Sequence, residues 1–422
     1  MTGNFFSQRR TKRIASITFG VVFLLSSFLV ACSPAPSPTP TAVLPTPKLI
    51  FPTQAPICTT LEVDPTPGPE EPSLFPPESA DDHARGATNP SVTITTYVDY
   101  QDNRSAFFVD VTNQLLAEYP NDVRVVYRPF PLIGSFDKSA LAAQAVESAN
   151  KQGKFWEMND LLFVQHNNWI QLLPDDFKQW LAVQAAGLGL DVDQFNADLA
   201  SDETVAKVQS YADDGNKIGI PGTPLILVNG QIYGGPRDHG SLKDIVALIL
   251  LGKRQFTSCP PYTVDATKQY AATLHTEKGD VVIEMFADKA PATVNSFIFL
   301  AQNGWYDGIT FHRVIPDLFA QTGDPSGTGK GNPGYYVITE ILPALKFNRP
   351  GMVAMVNSGP DTSGSQFFIT YAATPQFDGQ YTIFGQVIRG MDVLESLTPR
   401  DPQPGTELPP GDTLLSVEIE EK

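Results

Sequence analysis

The chain has 422 residues, with 42% hydrophobic and 18% charged, which suits two or three packed globular domains. A formal net charge of −17 excludes a general nucleic-acid binder, which needs cations to displace condensed counterions. Three cysteines are too few for a disulfide-dense scaffold or an all-cysteine zinc site, and 37 prolines are too many to spread evenly, so one stretch should be a linker.

Arg9, Arg10, Lys12 and Arg13 precede an apolar run over residues 14–30. That is the order of a basic and then an apolar region in an export signal. An uncut signal anchor competes with this reading, because the run is near the lower length limit for a spanning helix. Leu29-Val30-Ala31-Cys32 ends the run and resembles a bacterial lipobox. The resemblance implies a lipoprotein signal peptide over 1–31, with lipidation of Cys32 as the mature first residue. Several acyl chains on one residue give stable anchoring where a single chain is marginal. The expected location is extracytoplasmic, lipid-anchored to a bacterial membrane, in the periplasm or at the cell surface. Residues 32–84 are crowded with Pro, Thr and Ser, which favours extended polyproline II and reads as a tether.

Residues 92–100 (VTITTYVDY) are β-branched and aromatic and predict a buried strand. Residues 105–119 have helical spacing, and 123–127 predict a second strand. The pattern is helical from 139 to about 212. Gly222-Thr223-Pro224 then leads into residues 225–228 and the Asn229-Gly230 turn, a strong hairpin signal. A helix over about 241–251 closes the unit. Val98-Asp99-Tyr100, Arg128-Pro129-Phe130-Pro131, Gly153-Lys154-Phe155-Trp156 and Gly222-Thr223-Pro224 together resemble the DsbA-type branch of the thioredoxin family. The resemblance implies an α/β thioredoxin-like domain with a helical insertion over 85–255. It also implies a cis-proline at Pro224 beside the family's active site. Where that family has Cys-x-x-Cys, this chain has Asp102-Asn103-Arg104-Ser105. Disulfide exchange needs a thiolate, so Asp102 and Ser105 mark a degenerate redox site and the segment is not expected to be a disulfide oxidoreductase. A helix N-terminus that would favour a thiolate also favours an aspartate cap. What remains is a peptide-docking platform or a structural spacer.

Cys58 and Cys259 flank this segment. In an oxidising compartment an even pair suggests a bridge, with two unpaired thiols as the alternative. Residues 256–269 are expected to link the two folded domains.

From residue 270 to 422 the pattern turns to β, with strands expected at 272–275, 281–286, 351–356, 365–371 and 382–387. Two helices, at 290–302 and 391–396, interrupt them. Short strands and Gly- and Pro-rich turns predict an all-β-dominated closed barrel with two helices. Phe311-His312-Arg313-Val314, Gln321-Thr322-Gly323-Asp324, Gly351-Met352-Val353-Ala354-Met355-Val356-Asn357, Gly364-Ser365-Gln366-Phe367-Phe368-Ile369 and the stretch from Phe377-Asp378-Gly379 to Ile383-Phe384-Gly385 resemble the cyclophilin family of peptidyl-prolyl cis-trans isomerases. The resemblance implies that Arg313 is the catalytic donor to the twisted amide. It implies that Leu318, Phe319, Phe368 and Phe377 hold the proline ring, and that Gln321 and Asn357 bind the substrate backbone. Phe311 reads as core behind the site and His312 as a flanking residue. Gln376 stands where many members have tryptophan, and Tyr381 stands near the ring where many have histidine. Weak cyclosporin binding follows from the first difference.

The expected function is an extracytoplasmic, lipid-anchored isomerase that assists the folding of exported proteins. Its partners are proline-containing segments of those proteins and the membrane that takes the lipid. The reaction calls for no cofactor and no metal. The alternative is a non-catalytic peptide-binding chaperone or assembly factor.

Overall fold

A computed structural model describes residues 57–61, 75–402 and 408–422. The expected signal peptide, Cys32 and most of the Pro-rich stretch lie outside the described residues. The first half contains β1 (Cys58–Thr60), β2 (His83–Gly86), β3 (Val92–Val98), α1 (Asn103–Glu118) and β4 (Val123–Pro129). A run of helices follows: α2 (Ser139–Lys151), α3 (Phe155–Val164), α4 (His166–Trp169), α5 (Pro174–Gly187), α6 (Val192–Leu199) and α7 (Asp202–Ile218). The hairpin β5 (Leu225–Val228) and β6 (Gln231–Ile232) precedes α8 (His239–Leu251).

Strands β2 to β6 form one sheet in the order β2-β4-β3-β5-β6. Strands β3 and β4 are parallel, so the connection between them must cross over, and α1 supplies it. Both are buried on two faces, which is why they read as continuous β-branched runs rather than as alternating ones. The hairpin turns on Asn229 (φ 47°) and Gly230 (φ 81°), the left-handed pair that a two-residue turn demands. The inserted helices add Trp169, Phe177 and Phe195 to the core, all fully buried. Asp191, Ser201 and Asp238 cap α6, α7 and α8 with their side-chain oxygens, each worth about 1 kcal/mol.

The tether reading gives way at two places. Residues 58–60 pair with a strand of the second half, and β2 begins upstream of residue 85. Arg128 is the reason at the second place. It donates to both Asp82 oxygens at 2.7 and 2.8 Å and to the carbonyls of Pro76 and Pro77 at 2.8 and 2.9 Å. That fork holds the end of the Pro-rich stretch against the sheet.

The second half contains β7 (Tyr270–Thr276), β8 (Gly279–Met285), α9 (Pro291–Gln302), β9 (Ile309–Thr310), β10 (Arg313–Ile315), β11 (Phe319–Thr322) and β12 (Tyr335–Val337). It continues with β13 (Met352–Met355), β14 (Phe367–Thr370), β15 (Ile383–Arg389), α10 (Met391–Glu395) and β16 (Thr413–Glu421). Nine strands form one antiparallel sheet in the order β10-β11-β14-β13-β15-β8-β7-β16-β9. The sheet is a strongly curled half-barrel, which corrects the closed barrel expected from the sequence. The physical reason lies at its edges. The chain passes from one edge strand, β9, to the other, β10, through Phe311 and His312, yet the two strands do not pair with each other. Edge groups find other partners: Phe311 N–H donates to Asp412 O at 2.9 Å, and Val314 exchanges two backbone hydrogen bonds with Arg400.

Helix α9 is buried along nearly its whole length beneath the sheet, with Phe297 packed on Tyr306, Phe367 and Phe384. Its N-terminus is met by the buried Glu340 carboxylate, which accepts from the N–H groups of Ala292 (3.1 Å) and Thr293 (2.9 Å). Burial pushes the Glu340 pKa up, and these donors only partly oppose it. Cys58 and Cys259 form a disulfide that ties the β1 strap to the segment between the halves. Among the described residues no helix is long and apolar enough to cross a membrane.

Candidate active site

Strand register assembles the site. Arg313 lies opposite Gln321, Gln321 opposite Phe368, and Phe368 opposite Ala354 across β10, β11, β14 and β13. Directly paired residues share a face of the sheet, so an arginine, a glutamine and a phenylalanine far apart in sequence stand in one row. Phe319 is two residues before Gln321 and therefore on the same face.

These residues border a distinct apolar cluster of Phe286, Phe319, Phe347, Met352, Ala354, Phe368 and Ile383, with Leu318, Phe377 and Tyr381 packed against it. Phe368 is its hub. Its ring centroid is 5.5 Å from Phe319, 5.7 Å from Phe377 and 5.2 Å from Tyr381, the last two edge-on. Phe377 and Tyr381 meet edge-on at 5.5 Å. Such pairs contribute about 0.5–1.5 kcal/mol each beyond burial and fix ring orientation. Phe377 and Tyr381 remain half-buried, so the cluster presents an apolar wall to solvent.

Arg313 stands at one end of that wall, with its guanidinium carbon 5.3 Å from the Phe319 ring centroid. Its Nε donates to Asp401 Oδ1 at 2.9 Å. Its two terminal nitrogens make no hydrogen bond among the described residues. One edge of the fork is thus held and the other stays available. Gln321 Nε2 donates to Gln366 Oε1 at 3.0 Å. Gln366 is nearly buried, and its Nε2 donates to the carbonyls of Gly329 (3.1 Å) and Gly331 (2.9 Å). Asn357 follows Val356 at the Tyr381 side of the wall and donates from Nδ2 to Gln380 O at 3.0 Å. Phe311 is in the core, and Gln376 is exposed. His312 is also buried; burial lowers its pKa and the nearby Asp324 charge only partly offsets this.

Two members of the site escaped sequence reasoning. Gln366 sits inside a quoted motif, yet nothing in the motif shows that its amide links Gln321 on β11 to the loop that carries Gly329 and Gly331. Asp401 lies 88 residues from Arg313 and carries no sequence signal.

The segment from Asp102 to Ser105 is built differently. Asp102 caps α1, where Oδ1 accepts from Arg104 N at 3.1 Å and from Arg104 Nε at 3.1 Å. Its Oδ2 accepts from Thr223 Oγ1 at 2.6 Å. The Thr223–Pro224 bond is cis, so the cap carboxylate reaches the residue before the cis-proline. Ser105 is fully buried and accepts from Asp99 N–H at 3.2 Å. His166 Nε2 lies 3.2 Å from Gln101 O, and burial lowers the His166 pKa. Burial raises the Asp99 pKa, against hydrogen bonds from Ser139, Leu132 and Gln101. Asp102 and Ser105 are therefore both spent on internal partners. Among the described residues no cluster of His, Cys, Asp or Glu could hold a metal ion.

Fold and site define a two-domain protein with a thioredoxin-like half and a cyclophilin half. A thioredoxin family model matches residues 78–247, and the model of cyclophilin type peptidyl-prolyl cis-trans isomerases matches residues 271–417. The peptidyl-prolyl cis-trans isomerase CYP18-1 of Arabidopsis thaliana is 48% identical over 138 residues, covering 32% of this chain and 86% of that protein. The peptidyl-prolyl cis-trans isomerase A of Mycobacterium tuberculosis is 44% identical over 145 residues, covering 31% of this chain and 80% of its own. A solved cyclophilin type peptidyl-prolyl cis-trans isomerase of Cryptosporidium parvum is 34% identical and covers 36% of this chain and 98% of its own, with a TM-score of 0.33. The chain belongs to the cyclophilin-type peptidyl-prolyl cis-trans isomerase family, and it is an isomerase of that type.

Proposed function

We propose that Arg313 is the catalytic donor of an isomerase acting on proline-containing segments of exported proteins. The observation that carries this is the free edge of the Arg313 guanidinium beside the Phe319–Phe368 wall, in one row with Gln321. Rotation about an X-Pro bond is opposed by amide resonance, a barrier of about 18–20 kcal/mol. At the twisted geometry the nitrogen lone pair is no longer delocalised and can accept a hydrogen bond. A guanidinium supplies that bond without changing its own protonation, and only where the bond is twisted. Leu318, Phe319, Phe368 and Phe377 hold the proline ring. Gln321 and Asn357 bind the flanking backbone, and Tyr381 closes the ring side of the wall. Asp401 holds Nε and so points the remaining fork at the substrate.

The rest of the reading follows the sequence signals. Cys32 is lipidated, the folded halves stand outside the cytoplasm, and the thioredoxin-like half is a docking platform or spacer without redox activity. Support comes from the Cys58–Cys259 bridge, which suits an oxidising compartment, and from Asp102, which stands where a thiolate would be needed and is fully engaged.

The deciding experiment is a prolyl isomerisation assay on a soluble fragment starting after Cys32, beside its Arg313→Ala variant. A fast rate abolished by the substitution upholds the assignment. An undiminished rate in the variant overturns it. Mass spectrometry of the membrane-bound protein tests the anchor: the reading fails if Cys32 is unmodified there.

A further inference from the structure

Gln321 has one amide to orient, and the structure shows what orients it. Its nitrogen is committed to Gln366 Oε1 at 3.0 Å, which leaves its carbonyl end to accept from a peptide N–H. Gln366 is fixed in turn because its own nitrogen is shared between Gly329 O and Gly331 O. The loop over residues 324–334 therefore decides how the binding amide stands.

That loop is held from two sides. Inside it, the fully buried Asp324 accepts from Ser326 N at 2.8 Å and Gly331 N at 2.9 Å. Outside it, three holds come from the end of α8 and the residues just after it. Gln255 Nε2 donates to Asn332 O at 3.1 Å and to Asn332 Oδ1 at 3.0 Å. Phe256 N–H donates to Pro333 O at 2.8 Å. Leu251 is buried within the isomerase core and lies so close to Gly331 that a Cβ there would come within 2.6 Å of Leu251 Cδ2. Asp244, about two helical turns before Leu251, adds an ion-pair contact of 3.6 Å to Lys330.

We propose that the last helix of the thioredoxin-like half and the segment after it act as a brace for the isomerase site, with Gln255 as a positioning residue that acts on substrate binding through Asn332, Gln366 and Gln321. The thioredoxin-like half is thereby a working part of the isomerase rather than a passenger. The inference rests on the reading of Gln321 as a substrate-binding amide.

The test uses the full chain and separates KM from kcat for an X-Pro peptide. Gln255→Glu keeps the shape but sets a carboxylate against two acceptor oxygens, and Gln255→Ala removes the donor alone. Both should raise KM, about three- to tenfold for Gln255→Glu and less for Gln255→Ala, with kcat within about twofold. The side-chain amide resonances of Gln366 should shift in both, a signature that a merely structural contact would not produce. Gln321→Ala is run beside them. A raised KM in Gln321→Ala with wild-type KM in both Gln255 variants overturns the brace alone. An unchanged KM in Gln321→Ala removes the binding role of Gln321 and takes the brace with it.

Discussion

The Arg313 groove and the Asp102 corner both stand where a family motif leads the eye, and they differ in how their charged group is used. Arg313 gives one nitrogen to Asp401 and keeps its outer edge over an apolar wall. Asp102 gives one oxygen to its own helix and the other to Thr223. Burying a charge is tolerated only where hydrogen bonds compensate it, so a saturated carboxylate stabilises the fold and has nothing left for a ligand. A half-exposed guanidinium with free donors costs little to keep and can act on a substrate. Chemical capacity follows from what remains unpaired.

Breaking the comparison on the active side should have the largest effect. Arg313→Ala should lower kcat/KM by about 10²–10³, the loss seen when a single aimed transition-state donor is removed. Arg313→Lys should not restore it, because an ammonium lacks the fork. A coupled peptide assay measures both, and a rate within tenfold of wild type would break the contrast. The next test concerns what holds the halves together. Opening the 201-residue Cys58–Cys259 separation by Cys58→Ser with Cys259→Ser should cost up to about 5 kcal/mol of stability in the chain-entropy model, read by urea titration.

A third test is pH. Glu147 is buried, which pushes its pKa up. The His83 imidazole at 3.6 Å, Lys207 at 2.6 Å and Tyr211 at 2.7 Å outweigh this and hold it at about 2, against 4.5 for a free glutamate. A lowered folded pKa gives stability that is fully present above about pH 4.5 and is lost as the pH falls toward 2. The contribution is on the order of 3 kcal/mol, at about 1.4 kcal/mol per unit. Glu147→Gln should flatten the acid limb of a stability–pH curve; an unchanged limb would show that other carboxylates set it. The smallest effect is expected on the silent side. Asp102→Ala should cost about 1–2 kcal/mol through the lost cap and the Thr223 contact, and leave prolyl isomerisation unaltered. A changed rate would mean that the corner is coupled to the groove.

Much of this was legible from residues alone. The β-branched runs at 92–98 and 123–129 marked the parallel pair, Asn229-Gly230 marked the hairpin, and the motifs around Arg313 and Phe368 marked residues that the strand register brings into one row. Strands β9 to β12 were not, because runs of two to four residues show no period to read. β16 was missed although its nine residues partly alternate. The sheet's open edge was hidden for another reason. Closure depends on which partner an edge strand finds, and Arg400 takes that place for Val314 from 86 positions away.

By itself, the sequence determined the order of the two domains, the arginine and aromatic residues of the groove, and the absence of thiols at 102–105. These are local chemistry, carried by residue type and short spacing. Only the tertiary structure decided that Gln366 bridges to Gln321, that Asp401 holds Arg313, that Thr223 saturates Asp102, and that Gln255 supports the loop of the other half. Each is a hydrogen bond between residues dozens of positions apart. Such bonds form when register and packing bring two polar groups within about 3 Å, and spacing along the chain does not encode that.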